Sequence, residues 1–336
     1  MPRDRDSTRS FGAGARRRGA LAGALLLAAL PALRPALAGT PAPLDLDLRL
    51  RLSAAPAPAF AAPAGRNLPP RQNDTATRPQ RLRTNVLMWS PITLEMLHGL
   101  HAWWGSGFTG DFRTANEGWF GQDTYTGGAD KLGHFYSAYV GARLLTLGYR
   151  RWAGNGRGWS IKAGALTMFA TLSTVEVVDG FSRDFRFSPE DVVMNGGGAA
   201  LGALMETFPQ LDRLIAFRLQ YWPSRYTTFD PVDDYSGQTY LLALKASGLP
   251  ALRDTPVVRY LEFEVGYGTR DYESRDPAIH RRYLYVGIAL NLSQLLDDTV
   301  FAGRRGGGTA QAFADTFLRY VQVPGTALLH RRAFSH

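Results

Sequence analysis

Apolar residues between Thr84 and Leu219 recur at intervals of three and four, which is the period of an amphipathic α-helix. A first apolar stretch covers residues 85–104 and is interrupted by Pro91. Residues 105–128 are rich in glycine and aromatic side chains, so we predict a loop there. Beyond that loop we predict four helices, over residues 129–152, 159–178, 189–208 and 210–221.

After Pro223 the period changes to two. Leu261, Phe263 and Val265 alternate with glutamates, residues 282–292 alternate in the same way, and residues 238–247 do so less clearly. Such alternation predicts antiparallel strands with one buried, apolar face. We therefore expect an α+β fold, in which a compact helical core is followed by an antiparallel β-sheet that packs against it and by a short C-terminal helix.

The N-terminal region resembles a secretory signal. Three arginines, Arg16 to Arg18, precede the short apolar run of residues 20–33, and Ala36-Leu37-Ala38 offers a cleavage site. We expect export to the periplasm or cell envelope, and a retained N-terminal anchor is the alternative. The resulting division of the chain is a signal peptide (1–38), an Ala/Pro-rich linker (39–83), a helical core (84–222), and a β region with the C-terminal helix (223–336).

Composition excludes several classes of function. The net charge of the 336 residues is +9, but seven arginines and two aspartates in residues 1–38 leave only +4 for the rest. We therefore predict no nucleic-acid partner. The chain contains no cysteine, which excludes disulfide partners, thiolate chemistry and lipid attachment to an N-terminal cysteine.

No segment of the helical part is a clear membrane span. The best apolar run, residues 163–175, is shorter than the roughly 18 residues that a spanning helix needs, and Lys162 and Glu176 flank it. A membrane or envelope component remains a possible partner, and spanning helices are the less favoured alternative.

Three pairs of polar residues lie at the ends of the predicted helices. They are Asp130 with His134, Glu176 with Asp179, and Asp191 with Asn195. Each pair is three or four residues apart and so shares one helix face. In an up-and-down helical hairpin the start of one helix lies beside the end of the next, so we expect all three pairs to converge at one end of the core.

Two interpretations of this cluster remain open. In the first, Ser188 caps its helix and the acids form a buried ion network with Lys131 and His134 that fixes the core. In the second, His134, Asp130 and Glu176 hold a divalent metal ion, and Asp179 or Asp191 activates water. Other catalytic motifs are absent: the sequence has no HExxH, G-x-S-x-G or phosphate-loop motif. His98 and His101 are typical of core or surface histidines rather than of ligands.

The segments EGWFGQDTYTGGADKLGHFYSAY, EVVDGFS, FSPEDVVMNGGGAALG and DYSGQTY resemble the uncharacterised YfiM-like family of predicted periplasmic lipoproteins. The shorter pattern D-K-x-x-H, a helix-end glutamate and S-x-x-D-x-x-x-N-x-x-G is similar to the VanZ-like membrane proteins. The resemblance implies an envelope location and a compact helical core, and it brings no known reaction. We therefore expect a non-enzymatic envelope protein with a structural or binding role, and a metal-dependent hydrolase acting on a lipid or cell-wall substrate is the alternative.

Overall fold

The computed structural model describes residues 76–302 and 308–334. The predicted signal peptide and most of the predicted linker lie outside these ranges. So do residues 44–52, where leucine alternates with charged residues in the pattern of a short edge strand. The described residues form an α+β fold, as predicted. Its seven α-helices are α1 (Arg78–Ala102), α2 (Ala129–Arg151), α3 (Arg157–Phe181), α4 (Pro189–Thr207), α5 (Pro209–Leu214), α6 (Leu292–Asp298) and α7 (Thr309–Tyr320).

Helix α2 lies at the centre of the helical core, because it packs against both α3 and α4 along its length. Small residues permit the close approach of α2 and α4: a Cβ atom at Gly198 would lie 2.0 Å from the backbone oxygen of Phe135. Buried residues fill the seam between α2 and its neighbours. They include Ala138, Ala142, Leu145, Tyr149, Met168, Leu172 and Ala199.

Helix α1 differs from the prediction at both its start and its middle. It begins at Arg78, inside the segment assigned to the linker, and Thr77 caps it by accepting a hydrogen bond from the Gln80 backbone N–H. It also continues through Pro91 without a break. A proline removes one backbone hydrogen bond, and the packing of α1 along α3 maintains the helix despite that loss.

The helix predicted over residues 210–221 is found only as far as Leu214, and the rest of that prediction is wrong. The helix α5 ends at Leu214, and the next seven residues form β1 (Ile215–Tyr221). Tertiary pairing decides the outcome, because this segment forms an antiparallel ladder with β2 from Ile215↔Leu244 to Tyr221↔Gln238.

The sheet has five strands, and each is antiparallel to its neighbour in chain order. The remaining four strands are β2 (Gln238–Lys245), β3 (Leu261–Arg270), β4 (Arg281–Leu290) and β5 (Ala327–Phe334). The three predicted strands are confirmed within two residues, whereas β1 and β5 were not predicted. Leu292, assigned to a strand, begins α6 instead.

The prediction that the apolar face of the sheet is buried is wrong for most of that face. Phe263 and Ile288 are half exposed, whereas Glu262 and Glu264 on the opposite face are fully buried. Arg218 of β1 compensates the buried charge, because its guanidinium group binds Glu262 through both Nη atoms. Only one end of the apolar face, including Phe217 and Tyr240, packs on α2.

The loop before α2 connects the helical core to the sheet. Phe120 packs edge-on against Tyr267 of β3, with 5.4 Å between ring centroids, and Arg282 of β4 donates a hydrogen bond to the Phe120 backbone oxygen. Tyr267 also donates to the backbone oxygen of Gly127. The start of α2 is therefore held between the helices and the sheet.

Candidate functional site

A glycine pair brings the first polar residues of α2 into position. Gly127 and Gly128 both have positive φ, 64° and 84°, in the turn that precedes the helix. A Cβ atom at Gly128 would lie 2.3 Å from the backbone oxygen of Trp119, so only glycine fits there. The helix begins at Ala129, which places Asp130 in its first turn rather than at the N-cap.

Lys131 is the centre of a buried ion cluster. Its side chain is 1% exposed, and its Nζ lies 2.5 Å from Glu117 and 3.0 Å from both Asp130 and Asp191. It also contacts the Ser188 hydroxyl at 3.4 Å. Burial lowers the pKa of Lys131, but the three carboxylates outweigh this effect and hold the pKa above its ordinary value.

Glu117 was missed by the sequence analysis. It lies in the loop before α2, where no periodicity marks an acid as buried, and only its place at the start of the family resemblance distinguished it. Burial raises the pKa of Glu117 to about 7, although Lys131 opposes this shift. The loop therefore supplies one of the three carboxylates that surround the lysine.

His134 lies one turn beyond Asp130 and connects α2 to both neighbouring helices. Its Nδ1 is 3.1 Å from the Asn195 Oδ1 on α4, and its Nε2 is 3.5 Å from the Glu176 Oε1 on α3. Burial lowers the pKa of His134, but the nearby carboxylates, led by Asp191 and Glu176, produce a net increase. Burial raises the pKa of Glu176 to about 8, with His134 opposing the shift.

The start of α4 confirms the predicted cap. Ser188 accepts a hydrogen bond from the Asp191 backbone N–H at 3.3 Å, and Pro189 occupies the first turn. Both carboxylate oxygens of Asp191 lie 3.0 Å from Lys131 Nζ, but only Oδ2 has hydrogen-bond geometry. Its buried Oδ1 and the buried Nδ2 of Asn195 have no hydrogen-bond partner among the described residues.

The partners of Asp179 differ from those we expected. Lys131 contacts neither Glu176 nor Asp179 in any described ion pair, because its Nζ points to Glu117, Asp130 and Asp191. Asp179 instead accepts a 2.5 Å hydrogen bond from the indole N–H of Trp104. Burial raises the pKa of Asp179 to about 6, and the Trp104 hydrogen bond opposes this increase.

Two groups of three residues place potential ligand atoms within 4.8 Å of one another. One group is Glu117, Asp130 and Asp191, and the other is His134, Glu176 and Asp191. Lys131 Nζ already occupies the centre of the first group, where it lies within 3.0 Å of all three carboxylates. The second combines an imidazole with two carboxylates, a donor set suited to zinc, manganese or iron. Asp191, rather than Asp130, thus lies with His134 and Glu176.

The other histidines on α1 do not join this group. His98 is buried and packs edge-on against Trp103, and burial lowers its pKa. His101 is exposed. Glu95, also on α1, was not predicted to lie near the site. Burial raises the pKa of Glu95, and the charge of His134 opposes this increase.

Residues 116–207 match the model of the family described as Predicted periplasmic lipoprotein (DUF2279). The matched segment is a minority of the chain, but it contains all the predicted site residues as well as Glu117. No curated protein and no solved structure matches the chain. The match supports a place in the cell envelope and names no reaction, and the narrower resemblances to YfiM-like and VanZ-like proteins stay predictions.

Among the described residues, one helix is long and apolar enough to cross a membrane, judged by length and composition only. It is α3 (Arg157–Phe181). Core helices of water-soluble proteins also meet this criterion, and α3 packs against α2 and α4. Its composition therefore does not assign it to a membrane.

Proposed function

We propose that the protein is a non-enzymatic binding protein of the cell envelope whose helical core takes up a divalent cation at His134, Glu176 and Asp191. The observation that carries the proposal is the convergence of these three side chains from three helices, with ligand atoms within 4.8 Å of one another. Asp191 Oδ1 is buried and makes no hydrogen bond, although it lies 3.0 Å from Lys131 Nζ, so this oxygen has capacity for a further cation.

In this proposal the two ionic groups have different roles. Lys131 serves as a permanent internal cation that fixes the loop and the starts of α2 and α4. The neighbouring group offers the imidazole of His134 and the carboxyl groups of Glu176 and Asp191 to an added ion, and it shares Asp191 with Lys131. Because Glu176 must lose its proton to bind a metal and its pKa is about 8, we expect affinity to increase from pH 6 to pH 8.5.

Thermal unfolding of the full chain tests the proposal. The protein is treated with chelator, dialysed, and then heated with added Zn²⁺, Mn²⁺, Mg²⁺ or Ca²⁺ in separate samples. An ion that binds only the native state stabilises the protein by about 2.7 kcal/mol when its free concentration is a hundred times Kd. We expect an ion-dependent increase in Tm that His134→Ala abolishes and that His101→Ala, which changes an exposed histidine, retains. An increase that persists in His134→Ala, or no increase with any ion, would refute the proposal.

A second candidate function is a metal-dependent hydrolase. It is favoured by Asp179, whose pKa of about 6 suits a general base near neutral pH and whose carboxyl group lies close enough to His134 for their charges to interact. Asp191 is less suited to activate water because it also pairs with Lys131. This candidate predicts metal-dependent release of product from a phospholipid or a cell-wall fragment, lost in Asp179→Asn with metal binding unchanged.

A further inference from the structure

The sheet exposes its apolar face and buries its polar one. Cross-strand register places a group of exposed apolar residues on one face of four adjacent strands, among them Leu242, Phe263, Val265, Val286, Ile288 and Leu328. Phe263 is 50% exposed, Ile288 54% and Leu328 85%. A contiguous apolar surface of this kind indicates an interaction site, since folded monomers rarely leave one in water.

The charges of the sheet are distributed unequally between its two faces. Its only carboxylates, Glu262 and Glu264, lie on the buried face. On the exposed face, the edge strand β5 places His330 opposite Val286 and Arg332 opposite Leu284, and both basic residues are exposed. Within the five described strands, this apolar face therefore has a basic edge formed by His330 and Arg332 and carries no carboxylate.

Helix α1 has a second surface of the same character. Leu82, Val86, Trp89, Leu97 and Leu100 are exposed, and their spacing of three, four and eight residues places them on one side of the helix. Exposed Arg81 and Arg83 lie beside the first of these residues. An apolar stripe with basic residues at its end is typical of helices that lie in a membrane interface.

We propose that the exposed sheet face docks on a lipid bilayer with anionic headgroups. Lipid tails would cover Phe263, Val286 and Ile288, while Arg332 would meet the headgroup phosphates. A bilayer with anionic headgroups matches both properties of this face, because its tails would cover the apolar residues and its headgroups would pair with the basic edge. The absence of cysteine means that a cysteine-linked acyl chain cannot supply this contact. The inference is independent of the cation site.

Because the chain lacks cysteine, a single introduced cysteine can carry a specific fluorescent label. Val286→Cys places the label on the proposed docking face. Ala278→Cys, in the exposed turn that joins the far ends of β3 and β4, is the matched control. The labelled full chain is mixed with phosphatidylcholine vesicles containing one third phosphatidylglycerol and a fraction of lipid with nitroxide-bearing acyl chains.

We expect acyl-chain nitroxide to quench the label at position 286 at least two-fold more than the label at position 278. Arg332→Gln should weaken binding to the anionic vesicles about five-fold, the typical effect of one basic residue near a charged membrane. Arg275→Gln, in the exposed turn, should leave binding unchanged.

Two outcomes would overturn the proposal. Equal quenching at the two positions would show that this face does not meet lipid. Protection of the position 286 label from aqueous iodide without vesicles, together with a doubled mass in sedimentation, would assign the face to a second copy of the chain. A melting curve of each labelled variant, measured without vesicles, shows whether the variant is folded, so that quenching is compared between folded proteins only.

Discussion

His134 Nε2 on α2 lies 3.5 Å from Glu176 Oε1 on α3. The surroundings raise the pKa of both groups, that of Glu176 to about 8, so each holds its proton more strongly in the folded state than in the unfolded one. The protonated groups therefore contribute their full stability at a pH below the pKa values that they have in the unfolded chain. That contribution is lost as the pH increases through the pKa values that they have in the folded protein. For Glu176 this window extends from about pH 4.5 to about pH 8.

This relationship predicts how Glu176→Gln behaves in metal-free protein. A neutral amide cannot ionise, so the variant should gain stability relative to wild type as pH increases from 5 to 8.5. Urea unfolding at several pH values measures the difference. Asp111→Asn, which changes an exposed acid, should give a curve parallel to wild type. A constant difference between Glu176→Gln and wild type across the range would contradict the assignment.

Replacing Lys131 tests the buried ion cluster. Lys131→Met would leave Glu117, Asp130 and Asp191 in a buried site without their common cation. Removing one partner of a buried ion pair costs about 3–5 kcal/mol, and we expect a loss of at least that size in the free energy of unfolding at pH 7. The same change at Lys162, an exposed residue on α3, provides the control and should have little effect. Similar unfolding curves for the two variants would show that Lys131 does not hold the core.

The close contact between α2 and α4 predicts opposite effects at two neighbouring glycines. Gly198→Ala would place a methyl group 2.0 Å from the Phe135 backbone oxygen, so the helices must separate and we expect a loss of about 1–3 kcal/mol. At Gly196 the nearest atom is 3.6 Å away in the Phe169 ring, and alanine favours the helix by up to about 1 kcal/mol. Thermal unfolding should therefore show a decreased Tm for Gly198→Ala and an unchanged or increased one for Gly196→Ala.

The sequence predicts the helices better than the sheet because helical periodicity is a local property. The start of α2 at Ala129 and the Ser188 cap of α4 follow from neighbouring residues, and both are found where predicted. The segment from Ile215 to Tyr221 has no comparable local signal. It becomes a strand only because β2 lies beside it, and that contact joins residues far apart in the chain.

Alternation identifies the residues that share a face of a strand, but it does not identify which face is buried. The prediction that Phe263 and Val265 share one face of the strand is therefore correct, but the prediction that this face is buried is wrong. Which side is buried depends on Arg218, a residue more than forty positions away that satisfies Glu262. Glu117 escaped prediction for a similar reason, because its burial depends on Lys131 rather than on its own surroundings in the sequence.

The buried pair of Arg218 and Glu262 leads to a last prediction, about the inner face of the sheet. Arg218→Met would leave Glu262 and Glu264 buried without the guanidinium group that pairs with both, and we expect a loss of about 3–5 kcal/mol in the free energy of unfolding. The double variant Arg218→Met/Glu262→Met also removes the unpaired carboxylate of Glu262 and should recover part of that loss, because apolar residues often replace a buried ion pair at little cost. Urea unfolding of the two single variants and the double variant measures the coupling between the residues.

Arg225→Met, which breaks an exposed ion pair with Asp271, should leave the unfolding midpoint nearly unchanged. Additive losses from Arg218→Met and Glu262→Met would mean that the two side chains do not compensate each other, and the reason for burying the polar face would have to lie elsewhere.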